Sequence, residues 1–159
     1  MDYLQKPSYH YKPEKGWIND PNGLVYFNGY YHIFYQHAPN FEKPWKENMH
    51  WGHARTKDFL TYEELPVALF PDKPYDKDGC WSGTAIVKDG RLYLFYASIH
   101  DGVQSVSVAY STDGINFEKY ENNKVYILDS SSGSNGVHYN SYSVDSKKIK
   151  GYGRMKLKY

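Results

Sequence analysis

The chain has 159 residues, with 19 Lys and Arg against 18 Asp and Glu and a formal net charge of +1. This length suits a single modest domain, and the near-neutral charge gives no field that would select nucleic acid or an anionic membrane as partner. The apolar runs are only strand-sized, which excludes a membrane-spanning helix. A lone cysteine, Cys80, excludes an internal disulfide and a cysteine-rich zinc site. Residues 1–16 lack the apolar core of a secretory signal, so we expect a cytoplasmic protein.

Aromatic residues make up 18% of the chain, with 18 Tyr, 7 Phe and 4 Trp. Tyr and Phe favour half-buried sheet surfaces, and the chain shows no extended helical periodicity. Short strands bounded by turns therefore predict an all-β fold. Aromatic packing alone can explain this composition, although exposed aromatic faces also stack on sugar rings.

The first unusual stretch is "WINDPNG", from Trp17 to Gly23, ahead of a strand predicted to begin near Leu24. Asp20 is the sharpest candidate for chemistry, because a carboxylate at the start of an inner strand can meet a ligand. Pro21 fixes the local backbone and removes a donor, and Gly23 allows a close approach. Read alone, Asp-Pro-Asn-Gly is also an ordinary turn.

Two pairs of segments repeat along the chain. "FNGYYHIFYQ" from Phe27 matches "KDGRLYLFYA" from Lys88, each with a favoured two-residue hairpin turn before an aromatic strand. "ARTKDFLTYEE" from Ala54 matches "AYSTDGINFEK" from Ala109. A four-stranded unit repeating every 40–60 residues or so is typical of a β-propeller blade, although a sandwich with two similar hairpins remains the alternative.

The repeat ends near Leu128, and the remaining residues 129–159 are first polar and Gly/Ser-rich, then basic. We therefore predict a domain over residues 1–128 and a divergent tail over 129–159. The tail reads as a solvated, disordered end rather than a patch for RNA or membrane. Asn135-Gly136 could start a third hairpin, but its flanks are not apolar.

The Trp17–Gly23 string resembles the Trp-(Met/Ile)-Asn-Asp-Pro-Asn-Gly motif of glycoside hydrolase family 32, the invertase and fructanase family. Three further stretches are similar to family blocks in order and spacing: "YHIFYQHAPN" from Tyr31, "PWKENMHWGHARTKDFLTYEELPVAL" from Pro44, and "GCWSGTAIV" from Gly79. The resemblance runs from about Lys6 to Asn122. It implies part of a five-bladed propeller, about two blades with at most a portion of a third.

The resemblance also implies hydrolysis of terminal β-fructofuranosyl bonds, as in sucrose or sucrose 6-phosphate, with retention of configuration and no cofactor or metal. Asp20 would be the nucleophile, and Asn19 and Gln36 would bind fructosyl hydroxyls. Trp45, Trp81 and Ser82 would shape the subsite for the fructosyl ring. An ionised carboxylate beside the anomeric carbon suits an oxocarbenium-like transition state.

A retaining glycosidase needs a second carboxyl about 5 Å from the first. The family supplies it in a Glu-Cys motif and adds an Arg-Asp-Pro stabiliser, and neither motif occurs in this chain. Glu63, Glu64 and Glu118 fall in the outer parts of the repeats and are poor substitutes, and Asp101, near a strand end, is the least poor local carboxylate but is not predicted to take this role. The chain alone is therefore expected to show little or no hydrolysis.

Several alternatives stay open. The chain could be a non-catalytic fructoside-binding module or a fragment without function, and open blade edges could recruit a complementing chain or a second copy. A metal site is not expected. His50 and His53 are three apart in a strand and so point to opposite faces, and Asp76-x-Asp78-Gly79 lacks the other ligands of an EF-hand loop.

Overall fold

The computed structural model describes residues 10–41 and 47–120 and the short strand at 126–127. These residues form nine strands: β1 Trp17–Phe27, β2 Tyr30–Ala38, β3 His50–Thr56, β4 Glu63–Leu69, β5 Gly79–Lys88, β6 Arg91–His100, β7 Val103–Ser111, β8 Glu118–Lys119 and β9 Tyr126–Ile127. Within the described ranges there is no helix with the length and hydrophobicity to cross a membrane.

The strands form two antiparallel sheets. The first has the order β1-β2-β3-β4 and the second the order β5-β6-β7-β8, so each predicted repeat is one four-stranded meander. Strand β9 pairs with β7 and therefore extends the second sheet instead of opening a third. The suggested third hairpin at 135–136 and the domain boundary after residue 128 lie outside the described residues.

The predicted hairpin turns are present at equivalent places in both sheets. Asn28 and Gly29 have φ values of 48° and 82°, and Asp89 and Gly90 have values of 49° and 72°. Positive φ at both central residues gives the two-residue turn whose twist matches the flanking strands. A third turn of this kind, Asp101-Gly102, joins β6 to β7.

The second repeated motif is a turn organised by an aspartate. The carboxylates of Asp58 and Asp113 each accept hydrogen bonds from the backbone N–H groups two and three positions further on. These bonds favour the ionised form and lower the pKa of Asp58 to about 2, and they lower the pKa of Asp113 in the same way. Thr56 and Ser111 contact the same aspartates, which explains why the motif reads Ser/Thr-x-Asp.

The main core lies between the facing surfaces of the two sheets. Its largest members are fully buried aromatic and aliphatic side chains from both sheets: Phe34, Trp51, Leu69, Leu92, Leu94 and Tyr96. The inner strands β1 and β5 meet closely at Gly23, where an added Cβ would lie 3.0 Å from the Cβ of Ala85. Stacking of two meanders with their first strands together is the arrangement of neighbouring propeller blades.

Candidate active site

Strand β1 begins at Trp17, seven residues before the start predicted from the sequence. The Asn-Asp-Pro-Asn-Gly stretch is therefore part of the strand and not a turn ahead of it. Relative to β2, the strand carries one extra residue between Ile18 and Pro21 and another between Asn22 and Val25. These two β-bulges accommodate residues that normally interrupt a strand.

The first bulge carries Asn19 and Asp20, and both side chains are exposed. Bulges re-aim side chains, which is why they recur next to active sites. Pro21 is tolerated because β1 is the edge strand of its sheet, so the missing N–H breaks no ladder bond on the open side. The local sequence thus creates an exposed carboxylate on the innermost strand.

The innermost strand of the second sheet has a bulge of its own. Trp81 pairs with Ala97 and Gly83 pairs with Tyr96, so Ser82 is the additional residue. Only glycine fits after it, since a Cβ on Gly83 would lie 1.9 Å from the carbonyl oxygen of Phe95. The glycine of "WSG" is therefore required by this bulge.

The two bulges face each other across the seam between the sheets. The Ser82 hydroxyl donates to Oδ2 of Asp20 over 3.3 Å, and Ser82 is itself 8% exposed. The structure thus brings together two of the predicted site residues that are 62 positions apart in the sequence. A carboxylate held by a hydroxyl at an open face can act as a nucleophile or as an acceptor for a sugar hydroxyl.

Gln36 also lies at this seam, but its side chain has a structural partner. It is 3% exposed, and its Nε2 donates to the carbonyl oxygen of Cys80 over 3.0 Å. Gln36 therefore ties β2 to β5 two residues before Ser82. Trp81 is half-buried, and its indole lies against Gly79, where an added Cβ would be 2.9 Å from the indole Nε1.

Two of the remaining candidates are Trp45 and Asp101. Trp45 lies outside the described residues. Asp101 lies four residues beyond Ala97 along the chain, and Ala97 pairs with Trp81 in the ladder. At the usual rise per residue of a strand, Asp101 is therefore roughly 13 Å from that pair. Its carboxylate instead pairs with His100, at 3.2 Å.

The glutamates are engaged elsewhere as well. Glu63 pairs with Arg55 over 2.7 Å, and Glu118 accepts from the Tyr110 hydroxyl over 2.5 Å, both on outer strands. Glu64 accepts from the backbone N–H of Glu14. In the part of the chain that the structure describes, the polar contact of the Asp20 carboxylate is with Ser82, and no second carboxyl contacts it.

Beside Cys80 lies a buried charged network that sequence reasoning missed. Lys119 reaches Asp76 over 2.6 Å and Asp72 over 2.7 Å, and the Tyr96 hydroxyl donates to Asp76 over 2.8 Å. Asp76 is fully buried. Burial works against the charge on Lys119, but its acceptors outweigh that effect and raise its pKa. Because Lys119 is 43 positions from Asp76 and 47 from Asp72, no local pattern marks the network.

Cys80 borders this network and is not a nucleophile. Burial raises the pKa of its thiol well above the usual range. The protonated thiol donates to the carbonyl oxygen of Phe70 over 3.3 Å. Cys80 therefore serves the packing between the sheets.

Two groups of residues contain side chains that can ligate a metal ion. The ring of His53 stacks on Phe34 inside the core, whereas His50 meets Phe70 at the sheet end, so the two histidines face different surroundings. Asp78, His100 and Asp101 bring ligand atoms within 4.8 Å of one another at an exposed corner. Sequence reasoning did not group these three, because the turn after β6 brings Asp101 back towards Asp78.

The sequence matches the glycosyl hydrolases family 32 N-terminal domain over residues 10–138. The chain belongs to glycoside hydrolase family 32. Sucrose-6-phosphate hydrolase of Zymomonas mobilis is 46% identical over 121 residues, 71% of this chain and 23% of that protein. Levanase of Bacillus subtilis is 44% identical over 132 residues, 76% of this chain and 19% of the enzyme.

Solved family 32 structures share the fold. Sucrose-6-phosphate hydrolase from Lactobacillus gasseri superimposes with a TM-score of 0.69 at 30% identity, covering 76% of this chain and 25% of that one. Fructofuranosidase from Schwanniomyces occidentalis, complexed with fructose, gives 0.68 at 32%, covering 76% and 26%. These matches confirm the predicted propeller blades. The chain spans about a quarter of the length of the relatives it matches.

Proposed function

We propose that this family 32 chain carries the nucleophile half of a retaining β-fructofuranosidase site, with Asp20 as the nucleophile and sucrose or sucrose 6-phosphate as the substrate class. The observation that carries the proposal is the Asp20 carboxylate, exposed in a bulge and held by Ser82 from the neighbouring sheet. Attack on the anomeric carbon would form a fructosyl ester on Asp20.

Other residues at the seam support binding of the fructosyl ring. Asn19 is exposed beside Asp20 and offers an amide to sugar hydroxyls. Gln36 would use its amide oxygen, because its Nε2 is bonded to Cys80. Trp81 and Ser82 would line the same subsite, with Trp45 proposed alongside them from the family pattern.

The described residues offer no acid to protonate a leaving sugar beside Asp20. A β-fructofuranosyl fluoride removes that requirement, because fluoride departs without protonation. The carbon–fluorine bond breaks, fluoride leaves, and a carboxylate oxygen of Asp20 forms the new bond to the anomeric carbon. With no general base to activate water, the ester accumulates and is detectable as a mass increase of one fructosyl residue.

The test is intact-mass and peptide mass spectrometry of the folded chain after exposure to the fluoride. We expect one fructosyl group on the peptide that contains Asp20, and none in Asp20→Asn. Asp89→Asn is the matched control, since Asp89 is exposed in a hairpin turn that accepts asparagine equally well. Labelling elsewhere, or none in a folded chain, would refute Asp20 as the nucleophile.

Hydrolysis of sucrose by the chain alone is the second measurement. We expect almost none, because the general acid is missing beside Asp20 in the described part of the chain. Appreciable hydrolysis that Asp20→Asn abolishes would mean that the second carboxyl comes from this chain or from another copy.

The proposed location of the protein is the cytoplasm. A free, buried Cys80 suits such a reducing compartment.

A non-catalytic fructoside-binding module is the second candidate, favoured by the same lack of a second carboxyl near Asp20. It predicts binding of fructose or sucrose without fructosyl transfer from the fluoride. Titration calorimetry separates the two: binding without labelling supports the module, and labelling supports the nucleophile. If the chain neither binds these sugars nor is labelled by the fluoride, the remaining interpretation is a fragment without function.

The proposed partner of the chain, besides a small carbohydrate, is a further apolar sheet from a complementing chain or a second copy. Tyr31 neighbours His32 on β2 and so points away from the second sheet. Its ring lies 4.9 Å from Tyr26 and 4.5 Å from Phe59, and all three rings are exposed. Sedimentation of wild type against Tyr31→Glu tests this surface, with loss of association as the expected result.

A further inference from the structure

We infer that Trp51 is a positioning residue: its indole N–H fixes the peptide that joins Trp81 to Ser82 and so holds the Ser82 hydroxyl beside Asp20. The inference builds on the proposed function of Asp20. Trp51 does not belong to the sugar-contacting set, because it is fully buried in the core.

The contact that carries the inference crosses the seam between the sheets. Nε1 of Trp51, on β3, donates to the carbonyl oxygen of Trp81 over 2.9 Å. The ring is packed against Phe34 and Tyr96, at centroid distances of 5.9 and 6.4 Å. A tryptophan wedged in this way has little rotamer freedom, so its N–H is a fixed point.

The bonded carbonyl lies where β5 leaves its regular ladder. Ladder pairing with β6 is interrupted between Trp81 and Gly83, and a bulge leaves its extra residue without the usual partner. Cys80, the residue before Trp81, has two anchors of its own: its N–H donates to the carbonyl of Met49, just before β3, and its carbonyl accepts from Gln36 on β2. Trp51 is thus the anchor directly next to Ser82.

This placement gives Trp51 an indirect effect on the site. The carbonyl that it holds belongs to the same planar peptide as the Ser82 nitrogen, so the orientation of that peptide sets the direction of the Ser82 side chain. Ser82 then meets Asp20 over 3.3 Å. Without the indole N–H, we expect the peptide to rotate and the hydroxyl to leave the carboxylate.

The test compares Trp51→Phe with Leu92→Val, a control that loosens the same core at the other end of the β5–β6 ladder from Trp81 without removing a hydrogen bond. A second variant places 3-benzothienylalanine at position 51, which keeps the bicyclic shape and replaces the N–H by sulfur. The readout is the NMR signal of the Ser82 backbone amide and of the Asp20 side-chain carboxyl carbon. Ser82→Ala gives the reference shift for an Asp20 that has lost its partner.

We expect both position-51 variants to move the Asp20 carboxyl signal as Ser82→Ala does, and Leu92→Val to leave it in place. Fructosyl labelling of Asp20 should slow by about fivefold to tenfold, the value of one hydrogen bond. Unchanged Asp20 and Ser82 signals in the benzothienylalanine variant would overturn the inference, even if Trp51→Phe fails to fold. If wild type is not labelled, the nucleophile proposal fails while the NMR comparison still decides the role of Trp51.

Discussion

Nε2 of His53 lies 2.9 Å from Nδ1 of His32, and both rings are buried between the two sheets. His32 also approaches the Phe27 carbonyl through Nε2, at 3.3 Å. A carbonyl only accepts, so His32 carries its proton on Nε2 and its Nδ1 must accept from His53. Nδ1 of His53 is then a bare acceptor, and it has no hydrogen-bond partner among the described residues.

We expect this pair to make the fold sensitive to mild acid. Burial lowers the pKa of both histidines, and nearby Arg55 adds to the effect. Because the folded-state pKa is depressed below 6.5, the stabilisation is complete above that pH and is lost as the pH falls below it. The urea concentration at the midpoint of unfolding should therefore be lower at about pH 5 than at about pH 7.5.

The matched variant for that experiment is the double change His32→Phe with His53→Phe, which keeps two rings in the core. Its stability should vary less between the two pH values than that of wild type. His10→Gln, at an exposed position, should behave as wild type does. An equal pH dependence in the double variant would assign the acid sensitivity to other groups.

Gly83 should be the least replaceable glycine of the inner strands. Alanine there brings its Cβ to 1.9 Å from the Phe95 carbonyl, so the strand must move and the bulge is lost. We expect a loss of about 3 kcal/mol or more in the free energy of unfolding. Gly29→Ala is the control: its φ is +82° and its surroundings are open, so about 1 kcal/mol is expected. Chemical denaturation measures both.

Lys119 should matter more than any surface cation. Lys119→Met leaves Asp76 buried without its ammonium partner, which typically costs about 3–5 kcal/mol. Arg55→Met removes the more exposed pair with Glu63 and should cost roughly 0–1 kcal/mol. Adding Asp76→Asn to Lys119→Met should recover part of the loss, and a strictly additive double-mutant cycle would contradict the coupling.

Ser82→Ala should weaken the chemistry of Asp20 without unfolding the chain. The hydroxyl donates to Oδ2 of the carboxylate, so its loss leaves the nucleophile less well oriented. Fructosyl labelling of Asp20 should slow about tenfold, as for loss of one positioned hydrogen bond. Ser98→Ala removes a buried hydroxyl bonded to Ser107 on the second sheet and should leave the labelling rate unchanged.

The sequence-based predictions succeeded where a few neighbouring residues decide the structure. Asn28-Gly29 and Asp89-Gly90 form turns because both positions tolerate positive φ, and Asp58 and Asp113 organise turns through bonds to amides two and three residues away. The repeat of these local units was enough to predict the blades.

The start of β1 was predicted wrongly because Pro21 and Gly23 read as strand breakers in isolation. What permits them is tertiary: β1 lies at a sheet edge, and Gly23 sits against Ala85 of the other sheet. The partner of Gln36 was missed for the same reason, since Cys80 lies 44 positions away. Contacts between residues so far apart in the sequence produce no local periodicity from which they could be predicted.

The bond between Ser82 and Asp20 joins two sheets, and this has a consequence for the order of events during folding. Each sheet is a meander of sequential strands and can form from local contacts, but neither sheet alone contains the pair. The pair exists only once the second sheet has docked on the first. Fructosyl labelling of Asp20 would therefore reach its full rate only after docking, the same step that packs Trp51 against Tyr96 of the second sheet.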